Sequence, residues 1–156
     1  MPKEIERKFL IKNNDYRLLA KGVRYKQGYI CRLPDKVARV RIAGAQAFLT
    51  IKGMTQNLAV RLEYEYEVPV EHAEEMLERL CEKPFIEKIR YRVPYGNDIW
   101  EIDEFSGDNE GLTVAEIEMP SVDYELELPP GVGEEVTDDP RYLNANLVTN
   151  PFKSWK

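Results

Sequence analysis

The chain has 156 residues, of which 43% are apolar and 32% charged, and its formal net charge is −6. That length and apolar share suit one domain, residues 1–156, with a real core. The acidic balance argues against a nucleic-acid partner, and no apolar run approaches the roughly 18 residues that cross a membrane. Cys31 and Cys81 lack metal-ligand spacing, and the N-terminal stretch lacks a secretion signal, so a cytoplasmic protein with free thiols is expected. His72 sits beside Glu71 and Glu74 in a helical stretch, where an exposed position is expected, and this leaves no histidine for a triad or zinc site.

Period-2 alternation dominates from the start of the chain. Strands are predicted over Glu4–Ile11, Val23–Arg32, Val37–Ala43, Ala47–Gly53, Arg61–Val70, Glu87–Pro94, Ile99–Phe105 and Leu112–Met119. Turn signals separate them, among them Pro34-Asp35, Ala43-Gly44 and Tyr95-Gly96-Asn97-Asp98. A short helix is expected over Asp15–Lys21, closed by Gly22. The strongest helical pattern is Glu71–Glu82, whose stripe of Ala73, Met76, Leu77, Leu80 and Cys81 follows the 3.6 period and stops before Pro84. A third helix is expected to start with Asp139 as N-cap and Pro140 as its first residue. The fold class is α+β: an eight-stranded antiparallel β-barrel flanked by a few helices, closed so that no sheet edge is exposed.

The charged faces carry the functional information. Arg39 and Arg41 share one face, Thr50 and Lys52 another, then Glu63, Glu65 and Glu67; Lys88, Arg90 and Arg92; Glu101 and Asp103; Glu116 and Glu118. Glu4, Glu6 and Lys8 share a face of the first strand. Like charges thus stack about 7 Å apart along single strands, and like charges facing one another across strands are destabilising. One reading is an ion-pair lattice on the outer surface, but exposed pairs contribute little stability. The other turns the charged faces inward and the apolar faces outward, with Trp100, Tyr64, Tyr66, Tyr91 and the helix stripe forming the hydrophobic layer.

Clustered carboxylates on rigid strands call for a cation. Oxygen donors without His or Cys favour a hard ion such as Mg²⁺ or Mn²⁺. The bases suit a polyanion, and arginine forks match phosphate oxygens. Acids that hold a metal opposite bases that hold several phosphates form a phosphoryl-transfer arrangement.

The segment Glu4-Ile5-Glu6-Arg7-Lys8 matches an ExExK signature. Together with Arg39-x-Arg41, Lys52, Glu63-x-Glu65, Lys88-x-Arg90, Glu101-x-Asp103 and Glu116-x-Glu118 in that order, the chain resembles the CYTH superfamily of triphosphate tunnel metalloenzymes over essentially its whole length. The resemblance implies an eight-stranded tunnel, open at both ends, that takes a small-molecule triphosphate with Mg²⁺ or Mn²⁺ as monomer or homodimer. It implies that Glu4, Glu6, Glu116 and Glu118 hold a metal and that Glu63, Glu65 and Asp103 support a second, water-activating one. Lys8, Arg39, Arg41, Lys52, Lys88 and Arg90 would hold the phosphates, and Lys88, crowded by Arg90, is the candidate proton acceptor for the attacking water, a phosphate clamp being its other role. Tyr29 has the parity of a tunnel residue, and Arg141 and Tyr142 are candidates for closing its mouth. Hydrolysis of inorganic triphosphate is the leading expectation. A class IV adenylate cyclase, a thiamine triphosphatase and a non-catalytic polyphosphate or nucleotide binder are the alternatives.

Overall fold

The computed structural model describes residues 3–57 and 59–155. Its strands are β1 (Lys3–Ile11), β2 (Gly22–Leu33), β3 (Lys36–Ala43), β4 (Gln46–Met54), β5 (Val60–Val68), β6 (Ile86–Tyr95), β7 (Asp98–Phe105), β8 (Thr113–Glu118) and β9 (Val132–Glu135). All pair antiparallel in the order β5-β4-β3-β2-β6-β7-β8-β1, and β1 pairs again with β5. The first eight strands therefore form a closed ring, as the alternation requires when neither edge is to stay open. The ninth, β9, adds to β1 on the edge opposite β8, beyond the short stretch paired with β5. It was not expected, because VGEE carries no apolar alternation.

The helices are fewer and shorter than expected. Asp15–Leu18 is a single 3₁₀ turn rather than a helix to Lys21. The helix α1 runs Val70–Leu80, because Pro69 ends β5 and serves as N-cap. Beyond Asp139, whose carboxylate accepts from the Arg141 amide at 3.1 Å, the chain makes a 3₁₀ turn at Pro140–Tyr142 and one helical turn, α2 (Asn144–Leu147). His72 is exposed on α1, as its neighbours indicate.

The apolar faces point out of the ring and are covered in patches. Val40 and Ala47 pack beneath Ala73 and Leu77 of α1. Phe9, Trp100, Ile102 and Ile117 lie beneath Tyr16 and the segment carrying Tyr124 and Leu126. The expected continuous layer is incomplete: Trp100 is fully buried, but Tyr64 and Tyr66 remain 36% and 59% exposed, since α1 packs mainly on β2, β3 and β4 and meets β5 at its end, near Val68. The approach of α1 needs Gly28. A Cβ there would lie 2.9 Å from the Cys81 Cβ and 3.0 Å from a Leu77 methyl. A Gly28→Ala protein is expected to lose about 1–3 kcal/mol by overpacking, measured as a lower denaturant midpoint with unchanged slope.

Inside the ring the charged positions do not run its full length. Leu10, Ile86, Phe105 and Val114 share the parity of the charged residues, yet they pack with Tyr142, Leu147 and Val148 of the C-terminal segment. The implied tunnel open at both ends is thus filled at one end by an apolar plug.

Candidate active site

Strand register decides which charges meet. Opposite charges face each other at Glu4–Arg61, Lys8–Glu116, Lys52–Glu63 and Arg90–Asp103. Like charges face each other at Glu6–Glu118 and Glu101–Glu116. All of these residues except Asp103 line a cavity of about 170 Å³ inside the ring. The ion-pair lattice expected of an outer surface exists, but it lies within.

Acids and bases alternate around the cavity wall. Glu4 accepts from Lys52 at 3.0 Å and from Arg61 at 2.8 Å. Glu116 accepts from Lys8 at 2.9 Å, and Glu6 lies 3.2 Å from Lys8 and from Arg61. Glu118 lines the same cavity with no cation within 4.0 Å among the described residues. Glu63 lies 3.4 Å from Lys52, and Glu65 accepts from Thr50 at 2.9 Å. Arg39, Arg41, Lys88 and Arg90 line the same cavity, with Arg39 3.5 Å from Glu65 and Arg90 3.3 Å from Glu101 and 3.6 Å from Glu116. Arg41 donates to Gln27 at 3.0 Å and Arg39 to Thr50 at 3.3 Å, while the buried Arg39 Nε has no partner among the described residues.

The electrostatics show how crowded these groups are. Burial, then Glu116, pushes the Glu6 carboxyl up to about 7 against the opposing pull of Lys8. Burial and the nearby Glu4 likewise lift Glu63 to about 7, and burial with Glu4 lifts Glu118. Burial also opposes ionisation of Glu4, but Lys52 and Arg61 outweigh it and bring Glu4 down to about 2. Burial, Arg39 and Arg90 lower Arg41 to about 10. Burial lowers Lys88 to about 7, with Arg90 and Arg41 adding to it and Asp103 opposing. The crowded acids Glu6, Glu63 and Glu118 and the crowded bases Arg41 and Lys88 are groups that a cation and a polyanion would relieve.

Thirteen of the acids and bases on the charged faces line the cavity, from Glu4, Glu6 and Lys8 through Glu101, Glu116 and Glu118. Asp103 does not. It is wholly buried, and accepts from Lys88 at 2.7 Å and from the Arg90 fork at 2.7 and 2.8 Å, so its carboxylate ties down two bases. Arg92 is largely exposed, although β6 continues to Tyr95, and Glu67 is exposed. Arg141 stacks over Trp155 outside the cavity, and Tyr142 joins the plug. Tyr29 is buried, lines the cavity and accepts from Gln27 at 3.1 Å. Two polar cavity residues were missed. Arg61 has the parity of Glu63 and could have been read with it. Asn144, which accepts from Lys88 at 3.0 Å, comes from a distant segment and left no local signal.

A metal fits the donors, but basic side chains hold them apart. Among the described residues no three acids are gathered in metal-ligand geometry, because Lys8, Lys52 and Arg61 stand between them. The donor set is all oxygen, and the uncompensated Glu118 beside Glu6 is a position a hard cation would neutralise.

Residues 2–148 match the family model of the CYTH domain. The chain belongs to the CYTH family. It is 53% identical over 156 residues to an inorganic triphosphatase of Acetivibrio thermocellus, covering all of this chain and 99% of that one. It is 38% identical over 151 residues to an inorganic triphosphatase of Nitrosomonas europaea, covering 93% and 96% of the two chains. A crystal structure described as an inorganic triphosphatase superposes with a TM-score of 0.64 at 33% identity, over 95% of each chain. The eight-strand CYTH ring thus accounts for the fold, and metal dependence comes with the family.

Proposed function

We propose that this protein is an inorganic triphosphatase that hydrolyses triphosphate to pyrophosphate and phosphate with Mg²⁺ or Mn²⁺. The observation that carries the proposal is the full-length 53% identity to a curated inorganic triphosphatase, joined to a cavity lined by seven acids and seven bases. A wall so balanced has no surplus charge for a bare polyanion, so triphosphate enters most favourably with divalent cation. The cavity also suits a substrate without a base to stack: Tyr29 is the one aromatic side chain among its described lining residues.

Glu4, Glu6, Glu116 and Glu118 are assigned to one metal, and Glu63 with Glu65 to a second. When bound, the cations neutralise phosphate oxygens and favour ionisation of the attacking water. Arg39, Arg41, Lys52, Arg90 and Lys8 bind and orient the phosphates, with the unpartnered Arg39 Nε free to donate to a phosphate oxygen. Lys88 is held by Asp103 and Asn144, which favours a phosphate clamp over a mobile base. Asp103 is assigned to positioning Lys88 and Arg90. The protein acts in the cytoplasm, as monomer or homodimer, on a free small molecule and not on nucleic acid or membrane. No helix among the described residues is long and apolar enough to cross a membrane.

The direct test is phosphate and cyclic AMP release from tripolyphosphate, ATP and thiamine triphosphate, each with Mg²⁺ and with Mn²⁺. Phosphate release fastest from tripolyphosphate is the expected result. Cyclic AMP from ATP, or tight binding with no turnover on any substrate, contradicts it. Metal binding should also depend on pH. Glu6 and Glu63, both lifted to about 7, must lose protons to ligate, so Mn²⁺ affinity is expected to climb from pH 6 to 8 and flatten above. Calorimetry in two buffers of different ionisation heat reads the released protons, and identical heats would count against these two ligands.

A further inference from the structure

Arg61 stands where the ring closes. The β1–β5 seam is the shortest junction in the ring, with Lys3–Leu62, Glu4–Arg61 and Ile5–Val60 as its residue pairs. From that position the buried Arg61 guanidinium reaches two carboxylates on alternate positions of β1. Its Nη2 lies 2.8 Å from Glu4 Oε1 and 3.2 Å from Glu6 Oε1. Both carboxylates already touch a lysine, Lys52 at 3.0 Å for Glu4 and Lys8 at 3.2 Å for Glu6. The guanidinium is therefore not needed to give either acid its only counter-charge. What it does uniquely is bridge the two.

A carboxylate pair bridged by one cation is also a half-built ligand set for another. A guanidinium and a divalent ion drawn to the same oxygens repel each other strongly in a low-dielectric interior. We propose that Arg61 is the internal counter-cation of the Glu4–Glu6 site, which holds the two carboxylates together and the β1–β5 seam closed, and which metal loading displaces. The proposal rests on the assignment of Glu4 and Glu6 as metal ligands. It makes Arg61 a positioning residue that sets the threshold for metal loading, in contrast to the phosphate-facing arginines 39, 41 and 90. Its cost is metal affinity, and its benefit is a metal-free ring that does not spring open on its own negative charge.

The test uses the full chain without triphosphate. Mn²⁺ is titrated by calorimetry into wild type, Arg61→Ala, Arg61→Met and Arg61→Lys, and thermal melts are taken in chelator and in saturating Mn²⁺. The two neutral variants are expected to bind Mn²⁺ about tenfold tighter or more. They should melt several degrees lower in chelator and recover in Mn²⁺, since a ligand that binds only the folded state stabilises it. Arg61→Lys, which keeps the charge, should stay near wild-type affinity. Neutral variants that fold only with Mn²⁺ also support the proposal. Folded neutral variants with unchanged or weaker Mn²⁺ affinity overturn it, as do neutral variants that Mn²⁺ fails to rescue. A purely structural arginine would lower both melts equally and leave affinity alone. Failure of the underlying assignment looks different: wild-type Mn²⁺ binding would then survive Glu6→Gln.

Discussion

A Glu6→Gln protein is expected to lose roughly a hundredfold or more in kcat/KM for triphosphate, while its metal-free form melts higher than wild type at pH 8. The two effects share a cause. Glu6 faces Glu118 across the strands and is pressed by Glu116, and with burial this lifts it from 4.5 to about 7. A carboxyl whose folded value is raised gives stability that is fully present below its unfolded value. That stability is lost as pH rises through the folded one. For Glu6 the window is therefore about 4.5 to 7, and the loss across it is on the order of 3 kcal/mol. Glutamine keeps the shape and omits the charge, so the gap between variant and wild type should open as pH rises from 5 to 8. Calorimetric melts in chelator at those two values measure it. A variant that melts lower at pH 8, as deletion of an ordinary ion pair would make it, is the contrary result.

The second large effect is expected at Asp103. Asp103→Ala leaves Arg90 and Lys88 buried without their shared carboxylate. Breaking a buried pair in this way costs about 3–5 kcal/mol, which in a chain of this size lowers the melting temperature by roughly 10 °C. Turnover should fall as well, because both bases lose the group that aims them. Asp103→Asn keeps acceptor geometry on one oxygen and should sit between alanine and wild type. Were Asp103 a metal ligand instead, the metal-free protein would melt unchanged or higher and the defect would appear only in Mn²⁺ binding. Melts in chelator and Mn²⁺ titrations on the same samples separate the two.

These contrasts show what a linear reading can and cannot reach. Strand parity is local, so the shared faces of Glu4, Glu6 and Lys8, of Arg39 and Arg41, and of Glu116 and Glu118 were legible, and with them the inward-charged ring. Cross-strand register is not local. Whether Asp103 meets a metal or Arg90 depends on the pairing of β6 with β7, which no residue in either strand announces. The apolar plug was hidden because Ile86, Phe105 and Val114 look like ordinary strand ends until Tyr142 and Leu147 arrive from the C-terminal segment. Asn144 reaches Lys88 by the same route, across 56 positions of chain. The bare outer faces of Tyr64 and Tyr66 follow from where α1 stops, which the helical stripe alone does not say.

The most direct test is a crystal structure with tripolyphosphate and Mn²⁺, in which anomalous scattering locates the ion. The expected result is triphosphate inside the ring against Arg39, Arg41 and Arg90, with Mn²⁺ between it and Glu4, Glu6, Glu116 and Glu118 and any second ion at Glu63 and Glu65. Triphosphate bound outside the ring, or Mn²⁺ on residues other than these acids, would contradict the account.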